Sequence, residues 1–270
     1  MNEPLVSVVM AEYNTNIELL RDSIKSIINQ TYLNLELILI DDCGKNSNIL
    51  GEIVKEFNDK RIKLYKNESN KGLVYSLNRA VSLANGEYIA RMDTDDYSYP
   101  ERIEEEINFL IMHPEFDLVG TRCDYYDGCN IWGESKDFGE VTREKLLQGC
   151  PIVHPSVMFK KLSMNEIGGY KDYKRCEDYA TWISFFLNNK RMFVINKRLI
   201  RYHLSIDDYK KRTLKNRKKF FDVLKNEYMG LKPTKKDLIK IKFKTIFAGI
   251  IPWRIMFAYH QRIFKIVEKN

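Results

Sequence analysis

Along the first 120 residues the spacing of apolar positions switches repeatedly between two periods. Leu5–Met10 (LVSVVM) is a short run of β-forming residues, the pattern of a strand covered on both faces. Ile17, Leu20, Ile24, Ile27 and Ile28 then recur at helical spacing. Leu35–Ile40 predicts a second strand, Ile49–Phe57 a helix and Ile62–Tyr65 a third strand. The stripe Leu73, Leu77, Ala80, Val81 and Ala84 predicts a helix that Gly86 closes as a C-cap. Glu87–Met92 reads as a fourth strand, and Ile103, Ile107, Leu110 and Ile111 mark a helix entered at Pro100. Strands and helices alternating over such short connections predict βαβ units and an α/β fold, a mostly parallel sheet flanked by helices.

From about 121 to 206 the pattern is less regular, with short strand-like runs, a turn-rich stretch at 126–133, a helix near Thr142–Leu147 and the pair Gly168-Gly169. No Pro/Gly/Ser linker interrupts it, so residues 1–206 are expected to form one domain. From residue 207 to 270 the pattern is helical and basic, and this segment reads as a C-terminal extension. Its apolar positions Ile239, Phe243, Ile246, Phe247 and Ile250 form one helical stripe, and Met256, Tyr259, Ile263 and Ile266 form another after the break expected at Pro252.

Composition narrows the classes. Hydrophobic residues make up 44% of the 270 and charged residues 30%, which excludes a disordered chain. The start MNEPLV carries an acidic residue where a secretory leader needs a basic one, so no leader is expected. Five cysteines, at 43, 123, 129, 150 and 176, form no CxxC pair, which fits a reducing cytoplasm better than a disulfide framework or a zinc ribbon. The net charge of +7 conceals two opposed regions. Residues 210–270 hold 18 basic against 4 acidic residues, a net of +14, which leaves residues 1–209 at −7.

Within that acidic body, two of the predicted strands end in aspartates: Asp41-Asp42 after the second, and Asp93, Asp95 and Asp96 after the fourth. In a parallel α/β sheet, ligands bind beyond the carboxyl ends of the strands. Carboxylates crowded there repel one another unless a cation lies between them. An all-oxygen set of this kind suits Mg2+ or Mn2+, which bridge to substrate phosphates. The plainer alternative is an Asp-rich turn that caps the following helix. Glu177-Asp178 likewise reads either as a functional pair or as acidic residues favoured at a helix start.

Nine ordered blocks bear on that choice: SVVMAEYN (7–14), SIINQTY (26–32), LILIDDC (37–43), NKGLVYSLNRA (70–80), NGEYIARMDTDD (85–96), IVHPSVMF (152–159), IGGY (167–170), CEDYATW (176–182) and RYHLS (201–205). In their order and spacing they resemble the family 2 glycosyltransferases of GT-A fold, especially bacterial capsule and O-antigen enzymes. The resemblance implies a metal-dependent, inverting transfer of a sugar from a nucleotide-sugar donor, with UDP the commonest nucleotide, to a hydroxyl of a glycan acceptor in surface polysaccharide synthesis. It places Ala11, Tyr13, Asp41, Asp42 and Asn70 near the nucleotide, with Asp42 on the base. Ala11-Glu12-Tyr13-Asn14 stands where many relatives have Pro-x-Tyr-Asn. Asp93 would face the ribose or sugar, and Asp95 or Asp96 the Mn2+ or Mg2+. Asp178 would be the general base. His203 and Arg201 would close over the diphosphate, with His203 a further metal ligand, and His154 and Glu177 would lie on the acceptor side.

The resemblance also implies a lipid-linked acceptor, and the basic extension then suits peripheral attachment to an anionic membrane on its cytoplasmic face. Its longest uncharged run, Thr245–Trp253, is nine residues, short of the roughly 20 that a spanning helix needs. The alternatives are an apolar stripe packed on the domain beneath solvated lysines, or a non-catalytic sugar- or nucleic-acid-binding protein working through the basic extension. The nucleic-acid reading leaves both acidic clusters unexplained, so no nucleic-acid partner is expected. A D-x-D-x-T phosphatase fails at Tyr97, and neither G-x-G-x-x-G nor a P-loop is present.

Overall fold

The computed structural model describes residues 3–173, 175–211 and 218–266. Strands and helices follow in the order β1 (Val6–Glu12), α1 (Ile17–Ile28), β2 (Leu35–Asp41), α2 (Leu50–Glu56), β3 (Ile62–Lys66), α3 (Leu73–Leu83), β4 (Tyr88–Arg91), β5 (Tyr97–Ser98) and α4 (Arg102–Met112). The second half adds β6 (Leu118–Tyr126), β7 (Ile131–Glu134), β8 (Gly139–Glu140), α5 (Arg143–Gln148), β9 (Val157–Lys160), α6 (Lys161–Glu166), α7 (Glu177–Leu187) and β10 (Met192–His203). The extension carries α8 (Ile206–Lys210), α9 (Lys218–Asn226), α10 (Lys235–Ile250) and α11 (Trp253–Ile263).

The strands form one sheet in the order β3-β2-β1-β4-β9-β6-β10-β5, with β7 paired to β6 and β8 to β10. The β3-β2-β1-β4 half is parallel, as the alternation predicts. The other half is mixed: β9 runs antiparallel to both β4 and β6, and β10 lies parallel to β6. The period-two geometry of a strand sends alternate side chains to opposite faces. Val9, Ile38, Ile40 and Ile89 therefore enter one core beneath α3 and α7, while Val8, Met10, Leu37, Leu39 and Ala90 enter the other with α1 and α4.

Gly86 does not cap α3, which ends at Leu83 with Ala84 as its cap residue. A Cβ at position 86 would lie 2.5 Å from the Leu5 carbonyl and 2.8 Å from the Ser7 amide, so glycine is required there for close approach to β1. Gly86 N donates to Ser7 Oγ at 2.8 Å, and Ser7 Oγ donates to Glu36 Oε1 at 2.6 Å. Glu36 also accepts from Asn85 N at 2.7 Å and from Lys63 Nζ at 2.5 Å. One buried carboxylate thus ties the amino ends of β1, β2 and β4 together.

The division drawn at residue 206 is not a boundary in packing. Val223, Leu224, Tyr228, Leu231 and Ile241 belong to the same core as α3 and α7. Further on, Met256 packs with Leu204 and Tyr209, and Glu134 N donates to Phe264 O at 2.8 Å, which fastens the end of the extension to β7. Met256 accordingly turns inward, unlike Tyr259 and Ile263 of the same expected stripe, which are exposed together with Ile255.

Burial alone would push the Glu36 carboxyl up, but Lys63, Ser7 and Asn85 outweigh it and hold its pKa at about 2, against 4.5 for the free group. A folded-state pKa below the unfolded one stabilises the protein above pH 4.5, and this contribution fades as the pH falls toward 2. Glu36→Gln should therefore lower unfolding free energy by about 1–2 kcal/mol at pH 7. Urea titrations at several pH values should show the difference shrinking below pH 4.5; a pH-independent difference would contradict this account.

Candidate active site

The carboxyl end of β4 is fixed by two buried arginines. Arg102, fully buried at the start of α4, donates to the Arg91 carbonyl at 2.8 Å and to Val157 O at 3.3 Å, and pairs with Glu106 at 2.9 Å. Arg91 itself is 2% exposed and its guanidinium pairs with Asp93 Oδ1. The Asp93 carbonyl accepts from Ser23 Oγ at 2.8 Å, and the Thr94 and Thr15 hydroxyls meet at 2.6 Å, which ties this turn to α1 and to the loop after β1.

These anchors gather Asp93, Asp95 and Asp96 so that one carboxylate oxygen of each lies within 4.8 Å of the others. Burial raises the pKa of Asp93, and Asp95 adds to the rise against the pull of Arg91. Burial and the two neighbouring carboxylates raise Asp96 well above its ordinary value. Asp96 Oδ2 is buried without a hydrogen-bond partner. Three converging carboxylates, one of them with an orphaned buried oxygen, fit a divalent cation. Asp95 and Asp96 differ in setting: Asp95 lines the open cleft, whereas Asp96 is 3% exposed and its Oδ1 accepts from His203 N at 2.7 Å.

Pairing of β10 with β6 and β5 brings His203 to this turn. His203 Nδ1 lies 3.5 Å from Asp95 Oδ2, and that contact raises the imidazole pKa against the effect of burial. The start of α7 lines the same cleft. Asp178 Oδ1 accepts from Tyr179 N at 2.7 Å, and Oδ2 lies 3.5 Å from Cys150 Sγ. Burial raises Asp178, while burial and then Asp178 push Glu177 to about 7. The cleft has a volume of about 640 Å3 and is lined by Asp93, Asp95, Asp178 and His203, with Arg175 and Lys211 adding positive charge.

The remaining expected residues divide. Ala11, Tyr13, Asp41 and Asp42 sit at the carboxyl ends of β1 and β2, beside the acidic turn but off the cleft wall. Asp41 accepts from Cys43 N and Ser47 Oγ. Asp42 accepts from Asn67 Nδ2 at 2.6 Å and from Lys71 N and Gly72 N at 2.8 Å each, and so shapes the loop that exposes Asn70. Arg201 does not face the cleft: its guanidinium lies between the rings of Tyr97 and Tyr126, 4.6 and 4.5 Å from their centroids. His154 is also behind the wall, packed near Tyr170 and Trp182. Burial and Arg91 hold it well below the usual imidazole range.

Arg91 escaped the sequence reading although a signal was there, a lone charge at the end of the apolar strand run YIAR. Cys150, Arg175 and Lys211 come from loops and helix ends that only the tertiary fold brings to the cleft.

Both the fold and the sequence have counterparts in known proteins. The mannosyltransferase PcManGT of Pyrobaculum calidifontis, solved with GDP-Man and Mn2+, superposes with a TM-score of 0.67 over 97% of this chain and 81% of that one, at 16% identity, and so shares the fold. EpsE of Bacillus subtilis strain 168 is 32% identical over 265 residues, covering 96% of this chain and 94% of that protein. The Escherichia coli protein WfgD, a UDP-Glc:α-D-GlcNAc-diphosphoundecaprenol β-1,3-glucosyltransferase, is 31% identical over 232 residues, 83% of this chain and 87% of WfgD. The model of glycosyl transferase family 2 matches residues 7–181, a span that runs from β1 through the acidic turn to the Glu177-Asp178 pair. By sequence and by fold, this chain belongs to glycosyl transferase family 2.

Proposed function

We propose that this glycosyltransferase moves a sugar from a UDP-sugar to a hydroxyl of a lipid-linked glycan acceptor, with inversion at the anomeric carbon and with Mn2+ or Mg2+ in the acidic turn. The observation that carries the reading is a cleft at which three carboxylates converge and which a further carboxylate, Asp178, also lines. WfgD, similar along most of its length, uses a UDP-linked donor and a diphosphoundecaprenol acceptor by name, which favours those classes here.

The nucleotide lies at the ends of β1 and β2. A carboxylate has about four acceptor sites, and Asp42 spends three on its own loop, which leaves one for a base N–H. Tyr13 and Asn70, both exposed, and Ala11 and Asp41 complete the nucleotide side. Asp93 faces the ribose or sugar; Asp95 and His203 would hold the metal, and Asp96, whose Oδ1 accepts from His203 N, would offer its unpartnered Oδ2 to the same ion. A bound divalent ion supplies charge stabilisation for the departing diphosphate. Arg175 and Lys211 add cationic donors on the same cleft. Asp178 accepts the proton of the acceptor hydroxyl as that oxygen bonds to the anomeric carbon and the bond to the diphosphate breaks. Its raised pKa, set by burial, suits a group that must take up a proton.

The extension serves peripheral membrane attachment. Among the described residues no helix is long and apolar enough to cross a membrane. The stripe Ile239, Phe243, Ile246, Phe247 and Ile250 faces outward rather than onto the domain, which α10 meets through Leu238, Ile241 and Thr245. Lys240 and Lys244 lie along one side of that stripe and Lys235 and Lys242 along the other at 100° per residue, an arrangement suited to an anionic interface.

Turnover, product configuration and vesicle binding test these assignments. Asp95→Asn should abolish Mn2+-dependent release of UDP from a UDP-sugar while the circular dichroism and unfolding midpoint stay near wild type; retained metal-dependent turnover would transfer the ligand role to Asp96. Asp178→Asn should slow transfer at least about 100-fold with donor affinity kept, and proton NMR of the wild-type product should show inverted anomeric configuration. A retained configuration would eliminate direct displacement. In vesicle flotation at low salt, the protein should rise with anionic but not neutral vesicles, and Phe243→Ser with Phe247→Ser should cut that binding several-fold; unchanged flotation would remove α10 from the attachment.

A further inference from the structure

A second cavity, of about 230 Å3, adjoins the catalytic cleft, and Cys150 and Phe220 line both. Cys150 Sγ is 3.5 Å from Asp178, and Phe220 stacks on Tyr179 with ring centroids 5.7 Å apart. The cavity therefore begins beside the residue assigned as the base. From there it runs between α9, α10 and α11, where Ile241, Ala248 and Met256 supply apolar wall.

The polar groups around it are largely committed to the protein. Thr245 Oγ1 donates to Ile241 O at 2.8 Å, and His260 Nδ1 is paired with Tyr209 Oη at 2.7 Å. A sugar needs several hydrogen-bond partners, and this wall offers few; a hydrocarbon needs none. Lys244 is the exception. Its Nζ donates to the Gln148 carbonyl at 3.0 Å, and an ammonium carries three N–H donors, so two remain for an anion. A hydrocarbon channel with a cation on its wall, opening next to a base, matches an amphiphile with an anionic linker between a sugar and a chain.

We propose that this cavity receives the proximal hydrocarbon of the lipid phosphate that carries the acceptor sugar, with Lys244 pairing with the phosphate and the sugar hydroxyl reaching Asp178. The assignment rests on the glycosyl-transfer reading for the identity of the acceptor. It differs from the outward stripe of α10, which meets a bilayer surface rather than a single chain. It also gives the extension a part in the site, since three of its helices wall the cavity.

Farnesyl diphosphate and inorganic pyrophosphate serve as probes, titrated calorimetrically into the full chain with EDTA present so that metal-dependent diphosphate binding in the cleft is suppressed. Wild type should bind farnesyl diphosphate at least about tenfold more tightly than pyrophosphate. Ala248→Trp, which fills the cavity from α10, should erase that preference, while Phe243→Ser on the outward stripe should preserve it. Lys244→Met, at an exposed position, should weaken both ligands several-fold and keep the preference, which provides a readout independent of cavity filling. Equal affinity for the two probes overturns the assignment, as does a preference lost in Phe243→Ser and kept in Ala248→Trp. Failure of the transfer reading shows separately, as absence of Mn2+-dependent UDP release, on which this binding experiment does not depend.

Discussion

The site depends on how the carboxyl end of β4 is held. Three aspartates in four residues repel one another, and a turn carrying them would splay unless its backbone were fixed from below. Arg102 fixes it by gripping the Arg91 carbonyl from a fully buried position, and Arg91 places a second guanidinium directly under Asp93. Burying two such cations is expensive unless each is matched. Glu106 matches Arg102 and Asp93 matches Arg91, so the acidic turn is also the counter-charge for its own support.

That support lies at the centre of the sheet. β4 has β1 on one side and β9 on the other, at the junction of the parallel half with the mixed half. The parallel half aims the ends of β1 and β2 at one side of the turn, while β10, reached through β9 and β6, delivers His203 to the other. Groups from the first and second halves of the chain therefore meet over one strand end. Asp178 arrives from α7 and lines the same cleft without belonging to the cluster that Asp93, Asp95 and Asp96 form.

The extension shows one helix serving two surfaces. In α10 the positions Leu238, Ile241 and Thr245 contact the domain, while Ile239, Phe243, Phe247 and Ile250 remain exposed. A helix confined to solvent on its outer face would carry polar residues there. Its inner face continues the main core and helps to wall the cavity beside Cys150.

Local periodicity determined much of this protein in advance. Short apolar runs and helical stripes specified β1 to β4 and α1 to α4 within a few residues, because the burial of such an element is written in its own residues. The ordered motif blocks located the family and the Asp93–Asp96 and Glu177-Asp178 clusters, since those side chains sit in contiguous turns. Only the tertiary structure decided that Arg201 packs between two tyrosine rings, that His154 is walled in, and that Gly86 is a close-approach residue instead of a cap. The same holds for the outward direction of the α10 stripe and for the cavity that adjoins the cleft at Cys150 and Phe220. In each case the outcome depends on which surface a distant segment presents, and periodicity, which records only that a face is apolar, carries no information about its partner.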